Sequence, residues 1–273
     1  MMSIPADPAA LDYSPCRYGA SRAVFRGPER DLTRPYVAML GGSQTFGKYV
    51  AQPYPVLVER ALGLPVANLA GLNAGPDFYL SDPATLAIAG RAAVAVVQLT
   101  GAEAMSNPFY TVHGRRNDRF LAATPALRAL YPEVDFAEIH FTRHLVKVLE
   151  RTDPARFATV VAGLRTNWLA RMRALLGYLP PKRLLLWLAD EPMPAWEGGA
   201  ENAPLLIDRP LVEALAADAT ALIEAVPSAR ARALAPFDMT FPETEATQAA
   251  CLPGAAMHAE MAERIVPVLK LLM

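Results

Sequence analysis

Residues 36–48 read YVAMLGGSQTFGK, and the reading of this stretch decides the fold. Tyr36 to Leu40 are apolar or small throughout, the pattern of a strand buried on both faces. Gly41 and Gly42 follow, and there the backbone can turn sharply with no side chain in the way. Ser43 therefore falls just past the carboxyl end of a first parallel strand, where open α/β sheets place their ligands. Three uses of this loop stand open. Ser43 can be a nucleophile whose own N–H helps to bind an oxyanion. Gly42–Lys48, GSQTFGK, fits the G-x-x-x-x-G-K pattern of a phosphate-cradling loop, although Tyr49 stands where a Mg²⁺-binding hydroxyl belongs. Alternatively, the serine only caps the next helix.

Outward from this loop, apolar runs alternate with helical patterns. Strands are expected at Pro65–Leu69, Arg91–Thr100, Lys182–Ala189 and Arg230–Pro236, and helices at Pro55–Leu62, Val134–Glu150, Pro154–Tyr178, Pro210–Val226 and Ala256–Leu272. Such alternation predicts an α/β fold, a three-layer α/β/α sandwich with a flavodoxin-like, parallel, five-stranded sheet. Residues 1–34, rich in Pro, Arg and Asp, read as an irregular arm. Residues 35–273 read as one domain, with a helical elaboration at about 106–181 that holds no clear strand.

The 273 residues suffice for one large core, and 53% apolar against 19% charged residues is a globular composition. A net charge of −1 gives no general attraction to nucleic acid or to an anionic membrane. Cys16 and Cys251 alone exclude a disulfide framework and a multi-cysteine zinc site. No signal peptide and no membrane-spanning run is visible, so a cytoplasmic protein is expected. His140 and His144 share a helix face but lack a third ligand, and neither a metal nor another cofactor is expected.

Four places line up at strand ends: GGSQTFG around Ser43, NLAGLNAG at 68–75, GAEAMSN at 101–107, and PGAAMHAEMAERIVPVL around His258. In this order the blocks resemble the SGNH/GDSL hydrolase superfamily. The resemblance implies a nucleophilic serine after strand one, oxyanion donors from a Gly after strand two and an Asn after strand three, and a base His just before the C-terminal helix. Carried over, Ser43 and His258 are the catalytic pair, and Gly42, Asn73, Gly75 and Asn107 are the oxyanion-hole candidates. The implied function is a serine ester hydrolase or O-acyltransferase, acting on a small-molecule, glycan or lipid ester. The chain departs from the pattern in three ways: GGS replaces GDS, GAEA replaces G-x-N-D, and Ala255 stands where the acid three residues before the histidine belongs. A Ser–His dyad is therefore expected, with Asp238, Glu243 and Glu245 the nearest acids in sequence.

Two further classes of function remain. The altered blocks also suit a degenerate relative that binds a ligand without turning it over. A nucleotide-binding protein would use Gly42–Lys48, with Leu184–Glu191 as the apolar strand ending in a Mg²⁺-holding acid. His113, Arg115, Arg116 and Arg119 belong to the one dense basic cluster. They are candidates for clamping an anionic substrate, because Arg binds carboxylate or phosphate through paired hydrogen bonds.

Overall fold

The computed structural model describes residues 11–195, 204–235 and 237–273. Seven strands form in chain order: β1 (Val37–Leu40), β2 (Val66–Asn68), β3 (Val94–Gln98), β4 (Tyr110–His113), β5 (Arg116–Ala123), β6 (Arg183–Leu188) and β7 (Ala221–Ala225). Five of them make one parallel sheet in the order β2-β1-β3-β6-β7, while β4 and β5 pair as a separate antiparallel hairpin. The helices are α1 (Ser43–Phe46), α2 (Tyr54–Leu62), α3 (Pro76–Leu80), α4 (Pro83–Gly90), α5 (Pro125–Leu130), α6 (Thr142–Thr152), α7 (Pro154–Gly177), α8 (Arg209–Ala216), α9 (Ala229–Leu234), α10 (Ala246–Ala249) and α11 (Ala255–Leu272).

Side chains alternate across a strand, so a sheet covered on both faces needs apolar residues at every position. Ala38, Leu40, Ala95, Val97, Leu185 and Trp187 join one core with residues of α4, α7 and α8. Val37, Met39, Val94, Val96, Leu184 and Leu186 join the other, with α2, α9 and α11. The result is the expected three-layer α/β/α sandwich. Connections leave the adjacent strands β1 and β3 towards opposite faces, which opens a crevice at their carboxyl ends.

Three expected elements differ. The fifth strand is not at Arg230–Pro236: residues 229–234 form α9, which Ser228 caps by accepting from the Ala231 N–H at 3.1 Å. Pro236 lies outside the described residues. The strand is β7, within the segment 210–226 expected to be all helix, where α8 stops at Ala216 and the Thr220 N–H reaches the Arg183 carbonyl at 2.8 Å. The excursion after β3 does contain strands, the β4–β5 hairpin; β4 is only four residues long, and β5 exposes Leu121 and Ala122 beside each other, so no clean alternation marks it in the sequence. Finally, the helix expected over 134–150 begins only at Thr142, because Phe141 is extended and bridges to Arg119.

The arm is tied to the domain by a buried cation. The Arg26 guanidinium donates to the carbonyls of Phe46, Gly47, Val50 and Ala51, the last two at 2.8 and 2.9 Å. It therefore fixes the backbone that follows Ser43.

Candidate functional site

Gly41 must be glycine: a Cβ there would lie 2.2 Å from Thr45 Oγ1 and 2.5 Å from Gln98 Oε1. This close approach lets Gln98, the last residue of β3, gather the loop. Its Oε1 accepts from the Gly42 N–H at 3.0 Å and from the Thr45 hydroxyl at 2.6 Å, while its Nε2 donates to Gln44 Oε1. Ser43 begins α1, and its hydroxyl is engaged twice by one partner. It donates to Asn73 Oδ1 at 2.9 Å and accepts from the Asn73 N–H at 3.0 Å. Asn73 sits at φ +55°, a left-handed conformation that Asn tolerates, and its Nδ2 donates to Asp118 Oδ2 at 3.0 Å. A chain of contacts thus runs Ser43–Asn73–Asp118 from the loop after β1 to the hairpin strand β5.

Ser43, Asn73 and Asp118 line one cleft of about 240 Å³ at the switch point, together with Gln44, Gln98 and Glu103. Arg143 and Leu252 also reach it. Glu103 is half-buried as a residue, but its Oε2 is sealed from solvent without a hydrogen-bond partner. Burial lifts its pKa from 4.5 to about 7, against the opposing pull of its own backbone N–H and of the Arg143 charge. Burial likewise raises Asp118, although Arg116 and Arg119 oppose the rise. A larger open groove, about 900 Å³, lies beside Tyr36 and Ala93 at the other end of the strands. Parallel sheets place ligand chemistry at the carboxyl end, so the smaller cleft is the candidate.

The expected dyad is not assembled. His258 lies inside the first turn of α11, fully buried, with its ring 5.9 Å from that of Tyr54 and 21° from parallel to it. Its Nδ1 accepts from the Tyr54 N–H at 3.1 Å, and its Nε2 is buried without a partner. Burial, and then the charge of Arg26, push its pKa down to about 3, so it is neutral at pH 7 and a very weak proton acceptor. The physical reason is helix phase: His258, Met261, Ala262, Ile265 and Leu269 form the buried stripe of α11. From the segment that precedes this helix, the residue that reaches the cleft is Leu252, which cannot take a proton. Two of the three candidate acids, Asp238 and Glu245, are engaged elsewhere. Asp238 accepts from the Ala256 N–H at 2.7 Å, and Glu245 pairs with Lys48 and the Tyr49 hydroxyl.

The other expected residues divide. Asn73 meets Ser43. The Gly42 N–H is taken by Gln98, and the Gly75 N–H by Asn117 Oδ1 at 2.7 Å, so neither points at a vacant oxyanion position. Asn107 closes a local turn, accepting from the N–H groups of Phe109 and Tyr110 and donating to the Met105 carbonyl. His113 likewise accepts from the N–H groups of Arg115 and Arg116. Arg115 and Arg116 face a different groove, with Tyr13 and Phe25 of the arm, and Arg119 stacks over Phe141 at 4.4 Å. The basic cluster therefore does not overhang the serine. Gly42–Lys48 forms no phosphate cradle, because residues 43–46 coil into a helical turn ended by Gly47 at φ +76°. Lys48 is paired with Glu245 at 2.9 Å and Gln248 at 2.7 Å.

Sequence reasoning missed Gln98, Glu103, Asn117 and Asp118. Among the described residues, no group of His, Cys, Asp and Glu comes together that could hold a metal ion, and no helix is long and apolar enough to cross a membrane.

One protein family matches the chain, over residues 1–273, and its description is a domain of unknown function, DUF6473. The chain belongs to this family. No curated protein matches it. For this DUF6473 chain, the site itself has to carry the functional argument.

Proposed function

We propose that this chain is a binding protein that holds a small polar ligand in the Ser43 cleft, without serine–histidine acyl transfer. The observation that carries the reading is the bond from the Ser43 hydroxyl to Asn73 Oδ1. An amide oxygen orients a hydroxyl but cannot take its proton, so this contact does not activate a nucleophile as a neighbouring base would. The reading is the degenerate form of the SGNH-like arrangement suggested by the sequence blocks. The position at the carboxyl end of a parallel sheet, and a lining of hydroxyl, amide and carboxyl groups over apolar walls, suit a small ligand.

The test is labelling with a serine-directed fluorophosphonate, alongside hydrolysis of an activated ester by the parent and by Ser43→Ala. No label at Ser43 and equal background hydrolysis are expected. Stoichiometric labelling of Ser43, with hydrolysis lost in the alanine variant, would overturn the reading.

One observation favours a second reading, ester hydrolysis. Glu103 is a carboxyl in the same cleft that titrates near neutral pH, as a general base should. On that reading Glu103→Gln abolishes ester turnover while leaving the protein folded.

A further inference from the structure

Arg115 and Arg116, expected to clamp an anion beside the serine, stand instead over a groove of about 550 Å³ that shares no lining residue with the Ser43 cleft. The arm and the hairpin turn that line it are both tied to Phe78. The Phe25 ring meets that of Phe78 edge-on at 6.5 Å. The Phe78 N–H donates to Asn117 Oδ1 at 3.1 Å, and Asn117 Nδ2 donates to the His113 carbonyl at 3.0 Å. Gly71 lies against the same ring, since a Cβ there would fall 2.7 Å from it, and this sets Leu72 beside the arm.

Two kinds of surface meet in the groove. One is apolar and open to water: Val24 and Leu72 are 48% and 38% exposed, next to the buried rings of Phe25 and Phe78. The other is cationic, from the exposed Arg22, Arg115 and Arg116. Among the described residues Arg22 and Arg115 make no ion pair, and Arg116 only approaches Asp118, at 3.8 Å. A fourth cation stands close by, because the Arg17 guanidinium donates to the Arg22 carbonyl at 3.0 Å. The one acid lining the groove, Asp12, accepts from the N–H of Ser14 at 2.7 Å, within its own turn.

A small inorganic anion would match the arginines and leave the apolar wall in water. A neutral alkyl compound would cover that wall and leave the guanidinium charges unmatched. A carboxylate with an alkyl chain does both, since Arg binds carboxylate through two parallel hydrogen bonds and apolar area gains by leaving water. We propose that this groove binds an amphipathic carboxylate of medium chain length, its head drawn to the arginines and its chain laid along Val24 and Leu72. This is a second site, and it does not depend on how the Ser43 cleft is read.

The probe is octanoate, titrated calorimetrically into the full chain, with octanol as its neutral counterpart and acetate as the head alone. Octanoate should saturate one site and bind at least about tenfold more tightly than either. Its affinity should fall with added salt, and stay level between about pH 6 and about pH 8, where neither Arg nor a carboxylate titrates. Arg22→Gln and Arg115→Gln, both at exposed positions, should each reduce the preference for octanoate over octanol, and together abolish it. Leu72→Gln should weaken octanoate and octanol alike. No saturable octanoate binding, equal binding of octanoate and octanol, or full preference retained in the double arginine variant would each overturn the proposal. Octanoate affinity unchanged in Leu72→Gln would overturn the placing of the chain.

Discussion

Glu103→Gln should stabilise the protein at alkaline pH and leave it unchanged in acid. The carboxyl moves from an ordinary pKa of 4.5 to about 7 on folding. A raised acid keeps its proton in the fold while the unfolded chain releases one, so its stabilising contribution is full below pH 4.5. That contribution is lost as pH rises through about 7. At about 1.4 kcal/mol per pH unit, the loss amounts to about 3 kcal/mol, reduced by the partial exposure of the side chain. Gln has nearly the same shape and cannot ionise, so it escapes this loss. The expected gain is about 2–3 kcal/mol at about pH 8, and close to zero at about pH 4.5. For a chain of this size, that corresponds to a melting temperature raised by about 4–10 °C. Urea unfolding of parent and variant at both pH values measures it, and the difference between them isolates Glu103 from every other titrating group. A variant less stable than the parent at pH 8 would refute the reasoning. It would mean that Glu103 is ionised and held by Arg143 more strongly than burial opposes it.

His258 imposes the opposite slope. Its depressed pKa gives stability that is present above pH 6.5 and lost as pH falls towards about 3. His258→Asn, which can still accept from the Tyr54 N–H, should be about 1–3 kcal/mol less stable at pH 7 but lose less on acidification, as read from urea midpoints. Arg26→Met removes the donors to four carbonyls, and should cost about 2–4 kcal/mol by thermal or urea unfolding. The same variant should let the His258 pKa rise, measured by imidazole NMR titration, because a neighbouring positive charge has been removed.

The central sheet was legible in the sequence because burial on both faces leaves nearly unbroken apolar runs, as in residues 36–40 and 94–98. The edge strand β7 was not. It is only half buried, carries Glu224 paired with Arg209, and merges in sequence with the helix before it. Ser43 and Asn73 stood out as polar residues in glycine turns, and the cleft does hold both. Glu103 and Asp118 could not be found in this way. Their place in the cleft depends on the excursion after β3 folding back onto the sheet, which no local pattern encodes. His258 was misplaced for a reason that the sequence did contain. Its spacing to Met261, Ile265 and Leu269 follows a helix face, and that face is the core.

The buried Arg26 behaves as a metal ion would if it were part of the chain. A positive charge surrounded by backbone carbonyls is the arrangement that proteins use to coordinate a hard cation, with the ligand oxygens drawn from consecutive turns of a loop. Here the cation is covalently attached through the arm, so it cannot be exchanged, chelated or titrated away. The backbone behind Ser43 is therefore held by a cation that needs no exchangeable ion, and the arm serves as its permanent counter-ligand.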